Sequence, residues 1–174
     1  EENEFGFQVA NEDNAWQSVI TESDFSKLEQ PYFITSVYNG NELKIYLDGQ
    51  ELGSVDGSGN IRSVSSSVKI GLNVTDFFMG EIDEMAVFDT ALTPAQISSV
   101  YNNQSIEFLD GALAYYKFDQ GSEGDYPSIL IDHSGNRNHG TINGASWLEN
   151  IEGCTDQYAC NYNSEANFDD ESCE

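Results

Sequence analysis

Short apolar segments that alternate with polar residues and end at turn dipeptides are the feature that most constrains this chain. In LKIYLDGQELGSV, the apolar residues Leu43, Ile45 and Leu47 occupy every second position. A period of two is typical of a β-strand with one buried face. The dipeptide Asp48-Gly49 comes next, and both residues tolerate the positive φ of a tight hairpin turn. The pattern therefore predicts two antiparallel strands joined at this turn.

Further segments of the same kind predict strands within residues 66–72, 80–89 and 112–119. Strands separated by turn signals at intervals of about 8 to 12 residues are typical of a β-sandwich or barrel and not of an α/β sheet. We therefore predict an all-β, antiparallel fold.

One helix is expected in DTALTPAQISSVYNN. Thr93 is placed to be the N-cap, Pro94 the first helical residue, and Gln96 the partner that completes a capping box. Leu92 before the cap and Ile97 after it have the spacing of a hydrophobic staple. These signals predict a short helix of about two turns that packs against the edge of the sheet.

The charge of the chain is strongly one-sided, with 31 acidic residues against 6 basic ones and a formal net charge of −25. Nucleic acids and anionic membranes bind positively charged surfaces, so neither is expected as a partner. No apolar run approaches the ~18 residues that membrane insertion requires. Two interpretations of the acidic residues stay open: solvation of the surface, including in a salty medium, and coordination of calcium by some of them.

The three cysteines, Cys154, Cys160 and Cys173, all lie near the carboxyl end of the chain. Their clustering in a short acidic segment favours a disulfide there and an extracytoplasmic location. Zinc is disfavoured because no histidine lies near them in the sequence. An odd number leaves one thiol free or paired outside this segment, and the sequence leaves the pairing open.

Several segments together resemble the laminin G-like, concanavalin A-like jelly roll of bacterial surface proteins. GEIDEMAVFDTALTPAQISSVYN, residues 80–102, resembles the end of that domain, and residues 34–54 resemble the hairpin that precedes it. ALAYYKFD through GASW, residues 112–147, resembles the start of the domain. The resemblance covers residues 5–148 and implies an antiparallel jelly-roll sandwich of two sheets with one short helix.

The order of these segments is unusual, because the end-like half comes first. Residues 1–106 are expected to be the C-terminal half of a jelly roll. Residues 107–150 either begin a second jelly roll or complete the first, and completion is preferred because exposed apolar edge strands promote aggregation. Residues 151–174 are expected to be a separate cysteine- and aspartate-rich tail without regular structure.

The tail resembles a module found near the C-termini of secreted surface proteins of Bacteroidetes-like bacteria. The matching segments are Gly-Cys-Thr-Asp at 153–156, Ala-Cys-Asn-Tyr-Asn at 159–163 and Asp-Asp-Glu-Ser-Cys at 169–173. This resemblance implies export, attachment at the cell surface and a place within a larger, multidomain protein.

A dense polar segment, IDHSGNRNHGTING, occupies residues 131–144. In the family that the chain resembles, this loop commonly helps to hold a structural calcium ion. The residue types agree, because Asp132, Asn136 and Asn138 offer oxygen ligands and neighbouring glycines let the backbone curl. The alternative is a polar turn closed by hydrogen bonds without an ion.

The segment GEIDEM invites comparison with glycoside hydrolases that share the jelly roll. On a strand, Glu81 and Asp83 would project from one face and Glu84 from the other. In those hydrolases, a nucleophilic Glu is followed two residues later by an Asp and two or three residues after that by the acid/base Glu. Glu81 and Asp83 match the first two positions. The third falls at Met85 or Ala86, neither of which transfers protons. We therefore expect no catalysis, and Asp83 and Glu84 are instead candidates to reach the calcium ion or to pin a loop.

A second calcium site is a further candidate in the tail, where Asp156, Asp169 and Asp170 accompany Asn161 and Asn163. The spacing is not that of an EF-hand, and a flexible acidic linker is the alternative.

Exposed aromatic residues are the other candidates for function, because their rings stack on sugars. Trp16, Tyr32, Tyr38, Tyr126 and Trp147 are possible. Most aromatic residues lie in a core, and the sequence does not select among these five.

These observations predict a non-catalytic, calcium-stabilised binding or adhesion module of a large secreted or cell-surface bacterial protein. Its expected ligand is a glycan, with a surface protein as second choice. Two alternatives stay open: an accessory domain of a secreted polysaccharide-degrading enzyme, and a purely structural spacer in an adhesin.

Overall fold

The computed structural model of the protein describes residues 4–22, 31–73, 76–103, 111–119, 128–148, 151–164, 166, 168–169 and 171–174. Within these ranges the chain forms short β-strands and an α-helix. In chain order they are β1 Glu4–Ala10, β2 Trp16–Glu22, β3 Ile34–Tyr38, β4 Glu42–Leu47, β5 Gln50–Asp56, β6 Leu72–Asn73, β7 Asp76–Phe77, β8 Met85–Phe88, α1 Pro94–Asn103, β9 Ala112–Tyr116, β10 Ile129–Leu130, β11 Gly140–Thr141, β12 Glu152–Gly153 and β13 Phe168–Asp169.

Strands β3, β4 and β5 form an antiparallel sheet that is covered on both faces. The turn between β4 and β5 has φ values of 49° at Asp48 and 76° at Gly49, which confirms the predicted hairpin. Leu43 and Ile45 are fully buried on one face of β4. Tyr46 is 3% exposed on the opposite face, so this strand is more deeply buried than its alternating pattern predicts.

The β1–β2 hairpin covers the first face of this sheet and makes a second layer. Val9 and Val19 project from the hairpin and pack against Leu43 and Ile45. Burial of one such aliphatic side chain stabilises a fold by about 1.5–3 kcal/mol, so this cluster is a main source of stability for the sandwich.

Helix α1 covers the second face of the sheet through Ile97, which packs with Tyr46. The predicted capping box is present: Thr93 N donates to Gln96 Oε1 at 2.9 Å, and Gln96 N donates to Thr93 Oγ1 at 3.3 Å. The helix has 10 residues and is longer than the two turns expected from the sequence.

Strand β8 pairs antiparallel with β9, which lies beyond the helix in the sequence. Tyr115 of β9 is buried and packs with Val100 of α1, so the helix contacts both sheets. The division of the chain at residues 106 and 150 stays a prediction.

Two strands predicted from the sequence are shorter than expected. In the segment 66–72 only Leu72 belongs to a strand, and Val68 is 81% exposed. In the segment 80–89 the strand begins only at Met85, because Glu84 has a φ of 48°, in the left-handed region that a strand excludes.

The tail contains the disulfide that its composition predicts. Cys154 and Cys173 are bonded, with Cα atoms 4.8 Å apart, and Cys160 is an exposed free thiol. The tail also contains one parallel strand pair, β12 with β13. With its antiparallel sheets, short helix and bridged tail, the structure confirms the predicted all-β fold class and is consistent with a jelly roll.

Candidate functional site

The polar loop at residues 131–139 is organised around Asp132, which is 6% exposed. Asp132 Oδ1 accepts hydrogen bonds from the main-chain nitrogens of Tyr115 and Ser134, both at 2.9 Å. Asp132 Oδ2 accepts from Ser134 Oγ at 2.9 Å and from the main-chain nitrogen of Asn138 at 2.8 Å. Each carboxylate oxygen therefore has two donors, which occupy its two lone pairs.

Asn136 and Asn138 fasten the loop to the start of β9. Asn136 Nδ2 donates to the main-chain oxygens of Ala112 and Leu113, at 2.9 and 3.1 Å. Asn138 Nδ2 donates to the oxygen of Leu113 at 2.8 Å, and the Tyr116 hydroxyl donates to the main-chain oxygen of Asn138 at 2.6 Å. The loop is thus tied to the sheet by side-chain amides that act as donors.

The electrostatics of the loop follow from this geometry. Burial raises the pKa of Asp132, but the hydrogen bonds from Tyr115, Ser134 and Asn138 outweigh burial and bring that pKa from 3.8 to about 2. The pKa of Tyr116 is raised, mainly by burial and then by the nearby Asp132 carboxylate. Asp132 is therefore a carboxylate that stays charged because main-chain and hydroxyl donors surround it.

A calcium ion at Asp132 would have to displace these donors. Among the described residues, no group of three or more His, Cys, Asp or Glu side chains is arranged to hold a metal ion. In this arrangement both oxygens of Asp132 are occupied by protein donors, and calcium binding by Asp132, Asn136 and Asn138 stays a prediction. His139 is also engaged in the loop, since its Nδ1 accepts a hydrogen bond from Asp132 N at 3.0 Å.

The carboxylates of GEIDEM lie in the loop before β8 and not on a strand, so the predicted division between two strand faces is wrong. Glu81, Asp83 and Glu84 are exposed. Asp83 Oδ1 accepts from the main-chain nitrogen of Glu84 at 3.0 Å, and Glu84 Oε2 accepts a short hydrogen bond from the Tyr115 hydroxyl. Glu84 thus pins its loop to β9, which is one of the roles expected from the sequence.

The structure describes only part of the predicted calcium site in the tail. Asp156 Oδ1 accepts from the main-chain nitrogen of Tyr158 at 2.9 Å. Asn161 links the two ends of the tail: its Nδ2 donates to the oxygen of Ser172 at 2.5 Å, and its Oδ1 accepts from the nitrogen of Glu174 at 3.0 Å. The side chain of Asp169 and the whole of Asp170 lie outside the described residues, so the tail site stays a prediction.

The five candidate aromatic residues fall into different environments. Trp16 is 68% exposed. Tyr38 has its hydroxyl bonded to the main-chain oxygen of Gly59 at 2.5 Å, and Tyr32 and Trp147 are partly buried. Tyr126 lies outside the described residues. Of the four that are described, Trp16 presents the most open ring to a ligand.

Sequence reasoning missed the contribution of Ser134 and of the main-chain donors to the polar loop. The Asp-x-Ser spacing of 132–134 is a signal for such a turn, because both side chains commonly bond to nearby main-chain groups. Nothing in the sequence indicates the contribution of Tyr115 and Tyr116, since they are brought to the loop by the fold.

Comparison with known proteins agrees with this architecture. The family model described as the concanavalin A-like lectin/glucanases superfamily (Laminin G 3) matches residues 1–98, which is more than half of the 174-residue chain. Neither a curated protein nor a solved structure matches the chain. The helix found within the described part of the chain is not long and apolar enough to cross a membrane. From its β-architecture and this match, the chain belongs to the concanavalin A-like lectin/glucanase superfamily.

Proposed function

We propose that the chain is a non-catalytic, carbohydrate-binding module of a larger secreted or cell-surface protein. The match of residues 1–98 to the lectin/glucanase superfamily is the observation that carries the proposal, because this fold supports a carbohydrate-binding type of module. The exposed ring of Trp16 adds a surface suited to a sugar. The disulfide in the tail fits an oxidising, extracellular location.

The proposal is for binding without hydrolysis. Retaining hydrolysis needs two carboxyl groups about 5 Å apart on either side of the scissile bond, one of them acting as acid and base. Here the Glu84 carboxylate accepts a hydrogen bond from the Tyr115 hydroxyl, and the next residues, Met85 and Ala86, carry no carboxylate. The superfamily also includes glucanases, so the test of the proposed function has to measure hydrolysis as well as binding.

The segment after the helix supports the proposal that residues 107–150 complete the sandwich. Its strand β9 pairs with β8, and its polar loop is bonded to the same strand β9. A sandwich completed in this way leaves fewer unpaired strand edges.

A glycan array tests the proposed function, followed by incubation with each bound polysaccharide and measurement of new reducing ends. We expect retention on at least one polysaccharide without release of sugar. Absence of binding to every glycan would contradict the proposal and favour a structural spacer. Sugar release that the Glu81→Gln variant abolishes would identify an enzyme instead.

A further inference from the structure

Three side chains form a row across the outer face of the β1–β2 hairpin. Trp16 is paired with Ala10 in that hairpin. A bridge between Asn11 and Ile61 adds a third segment beside β1, and the main-chain nitrogen of Arg62 donates to the oxygen of Ala10 at 2.9 Å. Residues that lie opposite each other in antiparallel strands project from the same face. We call Trp16, Ala10 and Arg62 the Trp16 row.

The register of the Trp16 row places one small side chain between two large ones, an arrangement that we call the trough. Trp16 stands on one side, Arg62 on the other, and the small side chain of Ala10 lies between them. Neighbouring strands are about 4.8 Å apart, so the two larger side chains start from backbones separated by roughly 10 Å. The trough can therefore hold a ring that lies over Ala10 with its apolar face toward the indole.

Polar groups surround one end of this trough. Arg62 Nη1 donates to Asn14 Oδ1 at 2.6 Å, and Asn60 Nδ2 lies 3.5 Å from both carboxylate oxygens of Glu12. Within the described residues, the Nε of Arg62 is a buried donor without an acceptor. A buried donor left in this way raises the energy of the free protein.

We propose that the Trp16 row binds a sugar ring of a neutral polysaccharide. This inference rests on the proposed function and adds the position of the site and the charge of the ligand. An aromatic ring beside guanidinium, amide and carboxylate groups offers stacking together with hydrogen bonds to hydroxyl groups. A partner protein would instead need a broad, continuous apolar patch, whereas the polar pair Gln8 and Ser18 separates Trp16 from Ile20, an exposed apolar side chain farther along this face of the hairpin.

The negative charge of the chain favours a neutral glycan over an acidic one as the ligand. The net charge is −25, and Glu12 belongs to the site itself. A polymer of uronic acids would be repelled at a distance and again at contact, while hydroxyl groups of a neutral sugar can donate to the same carboxylate. Binding is accordingly expected to change little with ionic strength, because no ion pair forms.

The test is a titration of the intact chain with soluble oligosaccharides of the neutral polysaccharides retained on the array, with polyuronate fragments for comparison. Trp16→Ala is expected to weaken binding at least about tenfold, since stacking and apolar burial are lost together. Arg62→Ala is expected to weaken it by a smaller factor. Phe77→Ala is the matched control, because Phe77 is 70% exposed on another strand and binding should be unchanged.

Each other outcome overturns the inference in a recognisable way. Neutral glycan binding that survives in Trp16→Ala would leave the proposed function intact but place the ligand elsewhere. Tighter binding of polyuronates than of neutral glycans would refute the proposed ligand class. A third outcome is that the wild-type chain binds no glycan but forms a concentration-dependent dimer, seen by light scattering, that Trp16→Ala abolishes. In that case both the sugar-binding role of the Trp16 row and the proposed function are wrong.

Discussion

The loop around Asp132 and the Trp16 row are both rich in polar groups, but the two regions direct these groups differently. Asp132 accepts hydrogen bonds on both carboxylate oxygens from the protein itself and is almost fully buried. Trp16 keeps 68% of its surface exposed, and the buried Nε of Arg62 has no acceptor among the described residues. Polar groups that satisfy each other hold a fold together, while an exposed side chain such as Trp16 is available to a ligand.

The largest effect that separates the two regions is expected from Asp132→Ala. This change leaves the main-chain nitrogens of Tyr115, Ser134 and Asn138 without their acceptor, and we expect the free energy of unfolding to fall by about 3 kcal/mol. Urea denaturation measures it. Asp83→Ala is the matched control, because Asp83 is exposed and, among the described residues, accepts one hydrogen bond, from the main-chain nitrogen of Glu84. An equal loss in both variants would contradict the structural role of Asp132.

A smaller effect is expected from acidification. The pKa of Asp132 is about 2 in the folded protein and 3.8 as its ordinary value, so Asp132 contributes stability above about pH 4. That contribution is lost as the pH falls through 2, because the unfolded chain binds the proton first. We expect the ionised Asp132 to contribute about 2 kcal/mol to the free energy of unfolding, before solvent screening reduces that contribution. The free energy of unfolding, measured by urea denaturation, should differ less between wild type and Asp132→Asn at pH 2.5 than at pH 6. A constant difference would contradict the link between Asp132 ionisation and stability.

A still smaller effect is expected from removal of divalent ions. Because the donors around Asp132 already occupy its oxygens, EDTA should leave hydrogen exchange at residues 132–139 unaltered, and any change in Tm should be the same in wild type and Asp132→Asn. A calcium-dependent rise in Tm that Asp132→Asn abolishes would show that the loop rearranges around an ion. A rise that survives in this variant would place the ion outside this loop, with the tail and the carboxylates of Asp83 and Glu84 as the remaining candidates.

The smallest change in stability is expected from Trp16→Ala. The indole is mostly exposed, so the free energy of unfolding should change by less than about 0.5 kcal/mol while glycan binding weakens. Differential scanning calorimetry compares the variant with wild type. A large loss of stability would mean that Trp16 packs within the fold and does not serve a ligand.

Features that depend on near neighbours in the sequence were predictable. The capping box of Thr93 and Gln96 and the turn at Asp48-Gly49 need only residues a few positions apart, and the structure confirms both. The strand predicted for residues 66–72 is largely wrong because an apolar pattern does not supply a pairing partner. Strand formation depends on such distant pairing more than helix formation does.

The candidate sites were predictable only in part, for the same reason. The polar loop was identified from its residue types, but the donors that surround Asp132 are mainly main-chain nitrogens, which every sequence contains. Trp16 was one of five aromatic candidates. Arg62 could not be linked to it, because the contact of Arg62 with Asn14 spans 48 positions and exists only after the strands have paired.

The most direct test of the contrast between these regions is an NMR titration of the uniformly ¹⁵N-labelled chain with the best neutral oligosaccharide, in the presence of calcium. We predict that the shift changes will concentrate at the Trp16 indole and at the amides of Ala10, Asn14 and Arg62. The amides of residues 132–139 should stay unchanged. Shifts confined to residues 132–139, with none at Trp16, would show that the polar loop is the binding site and would contradict the account.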